Sequence, residues 1–199
     1  MEPEERASVA VPLEEWLDRL AQRGGAPGGG SASGVLLGVG SALISMVLSY
    51  GDRSPALSAR AAQLRADALA DALADATASA ALGSALAEPT DAEGRDAHVR
   101  DAAIAGARSS ARLGATGAAL VDLLEDTADD VPPGLDADLG VAAEAITAGL
   151  GGALINLRGD VALIERRDGT VPADIREAAV RMETDRRRAA TRATAVREG

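Results

Sequence analysis

A glycine-rich turn at residues 27–31, which reads PGGGS, is the part of the chain best suited to hold a small ligand. Glycine has no side chain, so a second backbone or a ligand can approach the main chain closely there. An apolar segment follows, and the unpaired amide groups at the start of a helix attract carbonyl and carboxylate groups. A short hydroxyl, Ser31 or Ser33, is the natural N-cap of that helix. The turn is therefore a candidate binding element.

Three aspartates form the most regular acidic pattern. Asp67, Asp71 and Asp75 recur every four residues and so share one face of a predicted helix. Such a stripe is usually solvated surface, and we predict solvated positions for Asp67 and Asp71. Because like charges at this spacing repel each other, a partner or a ligand that faces the stripe is the alternative.

Candidate cationic groups lie on the following predicted helix, where Arg100, Arg108 and Arg112 recur at turn-like spacing. They are candidates for holding an anionic ligand, and the alternative is salt bridges to neighbouring acids. His98 is the only histidine and cysteine is absent. Because a typical zinc site needs several such ligands, we predict no metal site.

Length and composition limit the class of protein. The chain has 199 residues, which suits one domain with a real core, and zero cysteines exclude disulfides and thiolate chemistry. The net charge of −11 argues against a nucleic-acid partner. The acidic leader places the first apolar segment too far from Met1 for a signal peptide, so we predict a cytoplasmic location.

The uncharged segment at residues 24–51 is long enough to span a membrane. Its serines and glycines lower its mean hydropathy, and no arginine cluster flanks it to set an orientation. We therefore predict the buried central helix of a bundle and no membrane partner.

Every long segment has helical periodicity and none alternates as a strand does, so we predict an all-α, up-and-down multi-helix bundle over residues 1–199. The predicted helices cover residues 12–23, a central helix after the glycine-rich turn, and residues 56–87, 95–129 and 137–167, with a last helix from Pro172. In the first helix, an apolar face is formed by Leu13, Trp16, Leu17 and Leu20. Asp136 is the predicted cap of the fifth helix.

Small residues mark where helices can approach closely. Gly30, Gly34, Gly38 and Ala42 fall every four residues on the central helix, so a neighbouring helix can lie close to that stripe. The helix predicted at residues 137–167 is also rich in Gly and Ala, and we predict that the two helices pack together.

Three sequence blocks resemble a known family. The segment APGGGSASGVLLGVGSALISMV at residues 26–47 is followed by DLGVAA from Asp138 and by GALIN ending at Asn156. In this order they resemble the cyclodeaminase/cyclohydrolase family, which comprises the C-terminal domain of formiminotransferase-cyclodeaminase and stand-alone bacterial relatives, including methenyltetrahydrofolate cyclohydrolase. The resemblance covers about residues 12–167.

The chain departs from the family pattern at four places. The segment VPPGLD at residues 131–136 replaces an Asn-rich loop, and Ala137 stands where serine is usual. Asp160 replaces the second Asn of the last motif, and Ser79 replaces a Phe. These changes fall on expected pocket positions and leave the scaffold glycines intact, so the fold is implied more firmly than the substrate.

The resemblance implies a folate one-carbon enzyme. It would hydrolyse 5,10-methenyltetrahydrofolate to 10-formyltetrahydrofolate or act as a formiminotetrahydrofolate cyclodeaminase, as a homodimer associating through its small-residue helices. The tetrahydrofolate derivative is the substrate, and no cofactor is implied. The alternatives are an enzyme of the same fold acting on a non-folate small molecule in a specialised pathway, and a non-catalytic helical dimer.

Site residues follow from the same resemblance. A carboxylate must move a proton and stabilise positive charge, with Asp138 as first choice and Asp75 as second. Helix capping is the alternative for Asp138. The implied substrate-binding residues are Pro27, Gly28, Gly29, Gly30, Ser31, Arg100, Asn156 and Asp160.

Overall fold

The computed structural model describes residues 8–23, 26–50, 55–129, 131–167 and 169–198. Its helices are α1 (Leu13–Leu20), α2 (Gly29–Ser49), α3 (Pro55–Ala87), α4 (Arg95–Ala128), α5 (Asp136–Glu165) and α6 (Ala173–Glu198). No residue in these ranges lies in a strand. The all-α prediction is therefore confirmed, and the predicted boundaries hold to within a few residues.

The long helices form a bundle in which each packs on the next along the chain. In addition, α2 packs against α5 and α4, and α4 packs against α6. Because α2 contacts three other helices, much of its uncharged surface is buried, as its sequence predicts, although Leu36 and Val39 are exposed. By length and composition α2 and α5 could each cross a membrane, but 56% and 50% of their apolar windows are buried inside the fold.

The small residues of α2 serve contacts within the chain. A Cβ added at Gly34 would lie 2.6 Å from Ala72 Cβ and 2.7 Å from the Ala68 carbonyl oxygen, so α3 packs directly on the α2 backbone there. The next glycine of the stripe, Gly38, faces Leu69 of α3. A homodimer associating through small-residue helices, as the resemblance implies, cannot use this stripe, because α3 already occupies it.

The opposite side of α2 packs on α5, as the sequence predicts. A Cβ added at Gly40 would lie 2.7 Å from Ile146 Cγ1, and one added at Gly149 would lie 2.8 Å from Leu37 Cδ2. Glycines on both helices therefore let their axes approach closely. This places the last turns of α5 beside the first turn of α2.

Two local predictions about hydroxyls and caps are wrong. The N-cap of α2 is Gly28, without a side-chain cap, since the helix begins at Gly29. Ser31 lies inside the helix, and its hydroxyl group donates to the Ala72 carbonyl across the interface at 3.0 Å. Ser33 donates to the Gly29 carbonyl at 2.8 Å. Within the described residues Asp136 is the first residue of α5 and makes no capping hydrogen bond.

Burial also differs from prediction on α1 and α3. Of the apolar face of α1, only Trp16 is buried, while Leu13 and Leu17 are exposed. Asp71, predicted as solvated, is half-buried against α4, where it accepts a hydrogen bond from Thr116 Oγ1 at 2.8 Å and lies 3.8 Å from Arg112. Packing of α3 on α4 covers this part of the acidic stripe.

Ion pairs link α6 to α4. Arg188 donates to Asp122 at 2.9 Å and to Glu125 at 2.6 Å, and it also contacts Asp185 on its own helix. Arg108 makes a looser pair with Asp174, which supports the salt-bridge alternative for that residue.

Candidate active site

A cleft of about 450 Å³ opens where four helices meet. Its walls are Gly29 and Gly30 from the first turn of α2, residues 75–82 of α3, Gly106 and Ser110 of α4, and residues 155–166 of α5 and the turn after it. A volume of this size is typical of a small-molecule site.

Asp75 is buried in the wall that α3 contributes. A Cβ on Gly30 would overlap its carboxyl group, so the absence of a side chain in the PGGGS turn makes room for Asp75. Ser79 donates to its Oδ2 at 3.4 Å, and the Ser31 amide, in the first turn of α2, also donates to it. Burial nevertheless raises the pKa of Asp75 above its usual 3.8, against the lowering effect of these donors and of Arg112.

Asp160 faces the same cleft from α5. A Cβ added at Gly106 would lie 2.7 Å from its Oδ2, so α4 also makes room for a carboxyl group. Burial, and then the negative charge of Asp75, raise the pKa of Asp160 to about 7. The two carboxyl groups thus form a coupled pair that retains one proton up to about neutral pH.

The environments of the two acids decide which one carries the proton. Asp75 receives hydrogen bonds from Ser79 and Ser31, which stabilise the ionised form. Burial and the Asp75 charge both favour the protonated form of Asp160. These environments favour ionisation of Asp75, which could then accept a proton, and protonation of Asp160, which could then donate one.

The remaining polar groups surround this pair. Asn156 lies one turn before Asp160 on α5, and its Oδ1 would be 3.4 Å from a Cβ added at Gly29. Among the described lining residues, Arg166 carries the one positive charge. The described residues contain no group of three or more His, Cys, Asp or Glu side chains arranged to hold a metal ion.

The sequence profile of the formiminotransferase-cyclodeaminase family matches residues 12–180. The chain belongs to this family. The resemblance drawn from the PGGGS turn and the DLGVAA block is thereby confirmed. The crystal structure of formiminotetrahydrofolate cyclodeaminase from Thermotoga maritima is similar, with a TM-score of 0.74 over 94% of this chain and 97% of that chain. The sequences are 19% identical, so this likeness establishes the shared fold.

No curated protein matches the chain.

In this member of the formiminotransferase-cyclodeaminase family, several residues predicted for the site lie at the cleft. Asp75, Asn156 and Asp160 line it together with Gly29 and Gly30. Ser31 contributes its amide to Asp75. Pro27 is buried and Gly28 caps α2, so both position the turn directly before the lining residues.

Two predicted residues lie elsewhere in the chain. Asp138 is on the first turn of α5, about 27 Å from Asn156 along the helix at 1.5 Å per residue, so the chain does not bring Asp138 to Asp75. Arg100 packs against Gly169 in the turn after α5, where an added Cβ would lie 2.7 Å from its Cδ.

Sequence reasoning missed three contributors, Ser110, Gly106 and Arg166. Ser110 and Gly106 share one face of α4, but nothing in the local sequence shows that α5 carries an acid opposite them. Arg166 follows the last turn of α5, and its place is set by how that helix packs.

Proposed function

We propose that this chain is a folate one-carbon enzyme that hydrolyses 5,10-methenyltetrahydrofolate to 10-formyltetrahydrofolate or acts as a formiminotetrahydrofolate cyclodeaminase. The observation that carries the proposal is that Asp75, which is buried, and Asp160, which is half-buried, line a single cleft in environments that favour ionisation of the first and protonation of the second. Membership of the family supports a folate-related substrate.

In the mechanism proposed for this chain, hydrolysis of the methenyl bridge uses both members of the pair. Water adds to the cationic bridging carbon, and one of its protons passes to Asp75. The bond from that carbon to N5 then breaks as Asp160 protonates N5, and the hydroxyl proton of the intermediate returns to Asp160. Asp75 releases its proton to solvent, which balances the one proton that the overall reaction produces. The Asp75 charge also stabilises the cationic substrate.

Cyclodeamination uses the same groups in an analogous way. N10 attacks the formimino carbon and loses its proton to Asp75, while the departing ammonia takes a proton from Asp160. In both reactions Asn156 would orient a ring amide of the folate. Arg166, which also lines the cleft, would bind a carboxylate of the glutamyl tail, in place of Arg100, the anion-binding candidate of the sequence analysis.

A second candidate is an enzyme of the same fold that acts on a non-folate small molecule. The observation that favours it is Asp160, which stands where the resembled family has an asparagine. An acid with a pKa of about 7 in place of a neutral amide changes which ligand groups the cleft can bind.

Turnover by the purified chain tests the proposal. Loss of methenyltetrahydrofolate is followed by absorbance, and ammonia release from formiminotetrahydrofolate is measured in parallel. We expect at least one rate to exceed the buffer rate by orders of magnitude. If both rates equal those in buffer, the folate function is rejected, and a thermal-shift screen with folates and other small molecules then separates the non-folate enzyme from a non-catalytic protein.

We also propose that the chain is a cytoplasmic homodimer. Apolar side chains are exposed on α2 (Leu36, Val39) and on α5 (Val141, Ile155), two helices that pack against each other. Exposed apolar groups on the central helices of a bundle are typical of a protein–protein contact. A second copy of the chain would cover them, and the contact would not involve the stripe that α3 occupies.

Val141→Arg should convert the dimer to a monomer, because a charge buried at the contact without a partner is strongly unfavourable. Light scattering at micromolar concentration measures the mass. The matched control is Val180→Arg on α6, since Val180 is 69% exposed and Val141 is 56% exposed. A dimeric Val141→Arg variant, or a monomeric wild type, would contradict this interface.

A further inference from the structure

A buried hydroxyl in the cleft has no task in the chemistry proposed above. Ser110 lies on α4, one turn after Gly106, and both residues line the cleft that holds Asp160. Ser110 is 1% exposed, and its Oγ finds no hydrogen-bond partner among the described residues. A buried hydroxyl without a partner destabilises a folded chain, so its presence at this position needs a physical explanation.

The other buried helical hydroxyls among the described residues are satisfied without any ligand. Ser33 donates to the Gly29 carbonyl at 2.8 Å, and Thr127 donates to the Leu123 carbonyl at 2.7 Å. Bonding to the carbonyl four residues earlier is the usual solution inside a helix. Ser110 does not bond to any described carbonyl in this way, although Gly106 stands at the corresponding position.

The neighbouring serine provides a direct comparison. Ser109 is also 1% exposed, but its Oγ accepts a hydrogen bond from Arg112 at 3.3 Å. The two adjacent serines are equally buried but differ in the hydrogen bonding of their hydroxyl groups. The hydroxyl group of Ser109 is paired within the protein, whereas the buried hydroxyl group of Ser110, a residue that lines the cleft, is not.

We propose that Ser110 is a substrate-binding residue whose hydroxyl group hydrogen-bonds to a polar ring atom of the folate held in the cleft. This inference rests on the folate function proposed above. Leu82 and Leu163 line the same cleft and provide apolar contact alone. The Ser110 hydroxyl therefore lets the cleft distinguish a ligand with a polar atom at this place from one with a C–H group.

Ser110→Ala tests the inference through its effects on the melting temperature and on the KM. Removing an unpaired hydroxyl should leave the melting temperature of the ligand-free chain unchanged or raise it. The KM for the folate that the wild type turns over should rise about 3- to 10-fold, the loss of one hydrogen bond, while kcat changes less than about twofold. A purely structural serine would instead lower the melting temperature and leave KM unchanged.

Ser109→Ala is the matched control. We expect it to lower the melting temperature, because Arg112 loses its acceptor, and to leave KM unchanged. A Ser110→Ala variant with the wild-type KM overturns the inference but leaves the proposed folate function standing. That result is expected if the Ser110 hydroxyl group binds only a water molecule. A wild type without folate turnover rejects the proposed function, and this inference with it.

Discussion

Asp75→Asn should reduce folate turnover by about 10²–10⁴-fold without unfolding the chain. Asparagine has nearly the shape of aspartate, so it fits beside Gly30, but it can neither accept the proton nor stabilise the cationic carbon. The kcat is measured by absorbance for both proteins, and circular dichroism reports whether the helices persist. Turnover within threefold of the wild type would remove Asp75 from the mechanism.

The matched control for this variant is Asp67→Asn. Asp67 lies two turns earlier on α3 and accepts a hydrogen bond from Gln63 at 2.8 Å, away from the cleft. The Asp67→Asn variant removes the same charge from the same helix. A loss of turnover caused by net charge alone would therefore affect both variants equally. We expect Asp67→Asn to retain most of the wild-type kcat.

Asp138→Asn tests the role that the sequence suggests for that residue. Asp138 lies about 27 Å from Asn156 along α5, so we expect its replacement to affect turnover much less than Asp75→Asn does. A loss as large as that of Asp75→Asn would assign the catalytic carboxylate to Asp138.

The pH dependence of the remaining activity distinguishes the two members of the pair. Because Asp160 retains its proton up to a pH of about 7, the wild-type rate should fall as the pH rises through that value. In Asp75→Asn the neighbouring negative charge that helps to raise the pKa of Asp160 is absent. The fall in residual rate should therefore move to lower pH in that variant.

Gly34→Val should destabilise the fold by about 1–3 kcal/mol, which lowers the melting temperature by about 2–12 °C in a chain of this size. The first side-chain atom would already meet Ala72 Cβ at 2.6 Å and the Ala68 carbonyl at 2.7 Å, so α2 and α3 must separate. Differential scanning calorimetry measures the change.

Gly83→Ala is the control for the effect of replacing a helical glycine. A Cβ at Gly83 on α3 would meet no described atom within 4 Å. We expect this variant to be more stable by about 0.5–1 kcal/mol, since alanine is the better helix former. If Gly34→Val melted at or above the wild-type temperature, the close contact of α2 with α3 would be contradicted.

The helices themselves were predictable because their signals are local. The Ala-rich runs end at turns such as the one at residues 88–94, and Pro172 directly precedes α6. The uncharged composition of α2 is enough to predict a largely buried helix, since a charged helix could not be buried without partners. The small-residue content of both helices likewise predicted that α2 and α5 pack together, and Gly40 and Gly149 lie in that contact.

The candidate site was predictable only in part. Asp75, Asn156 and Asp160 could be chosen from motif resemblance. The four-residue spacing of the aspartates on α3, however, does not show that Asp75 lies at the cleft and Asp71 does not. The difference arises because α4 places Thr116 opposite Asp71, while Gly30 of α2 makes room for the carboxyl group of Asp75 at the cleft.

What the sequence by itself determined is therefore the helices, their apolar and small-residue faces, and the family. Tertiary structure decided which groups meet: the pairing of Asp75 with Asp160, the amide of Ser31 on Asp75, and Arg166 rather than Arg100 at the cleft. The physical reason is that periodicity fixes the direction of a side chain around its own helix, whereas the pKa of a carboxyl group depends on which distant helix packs against it and how much water that packing removes.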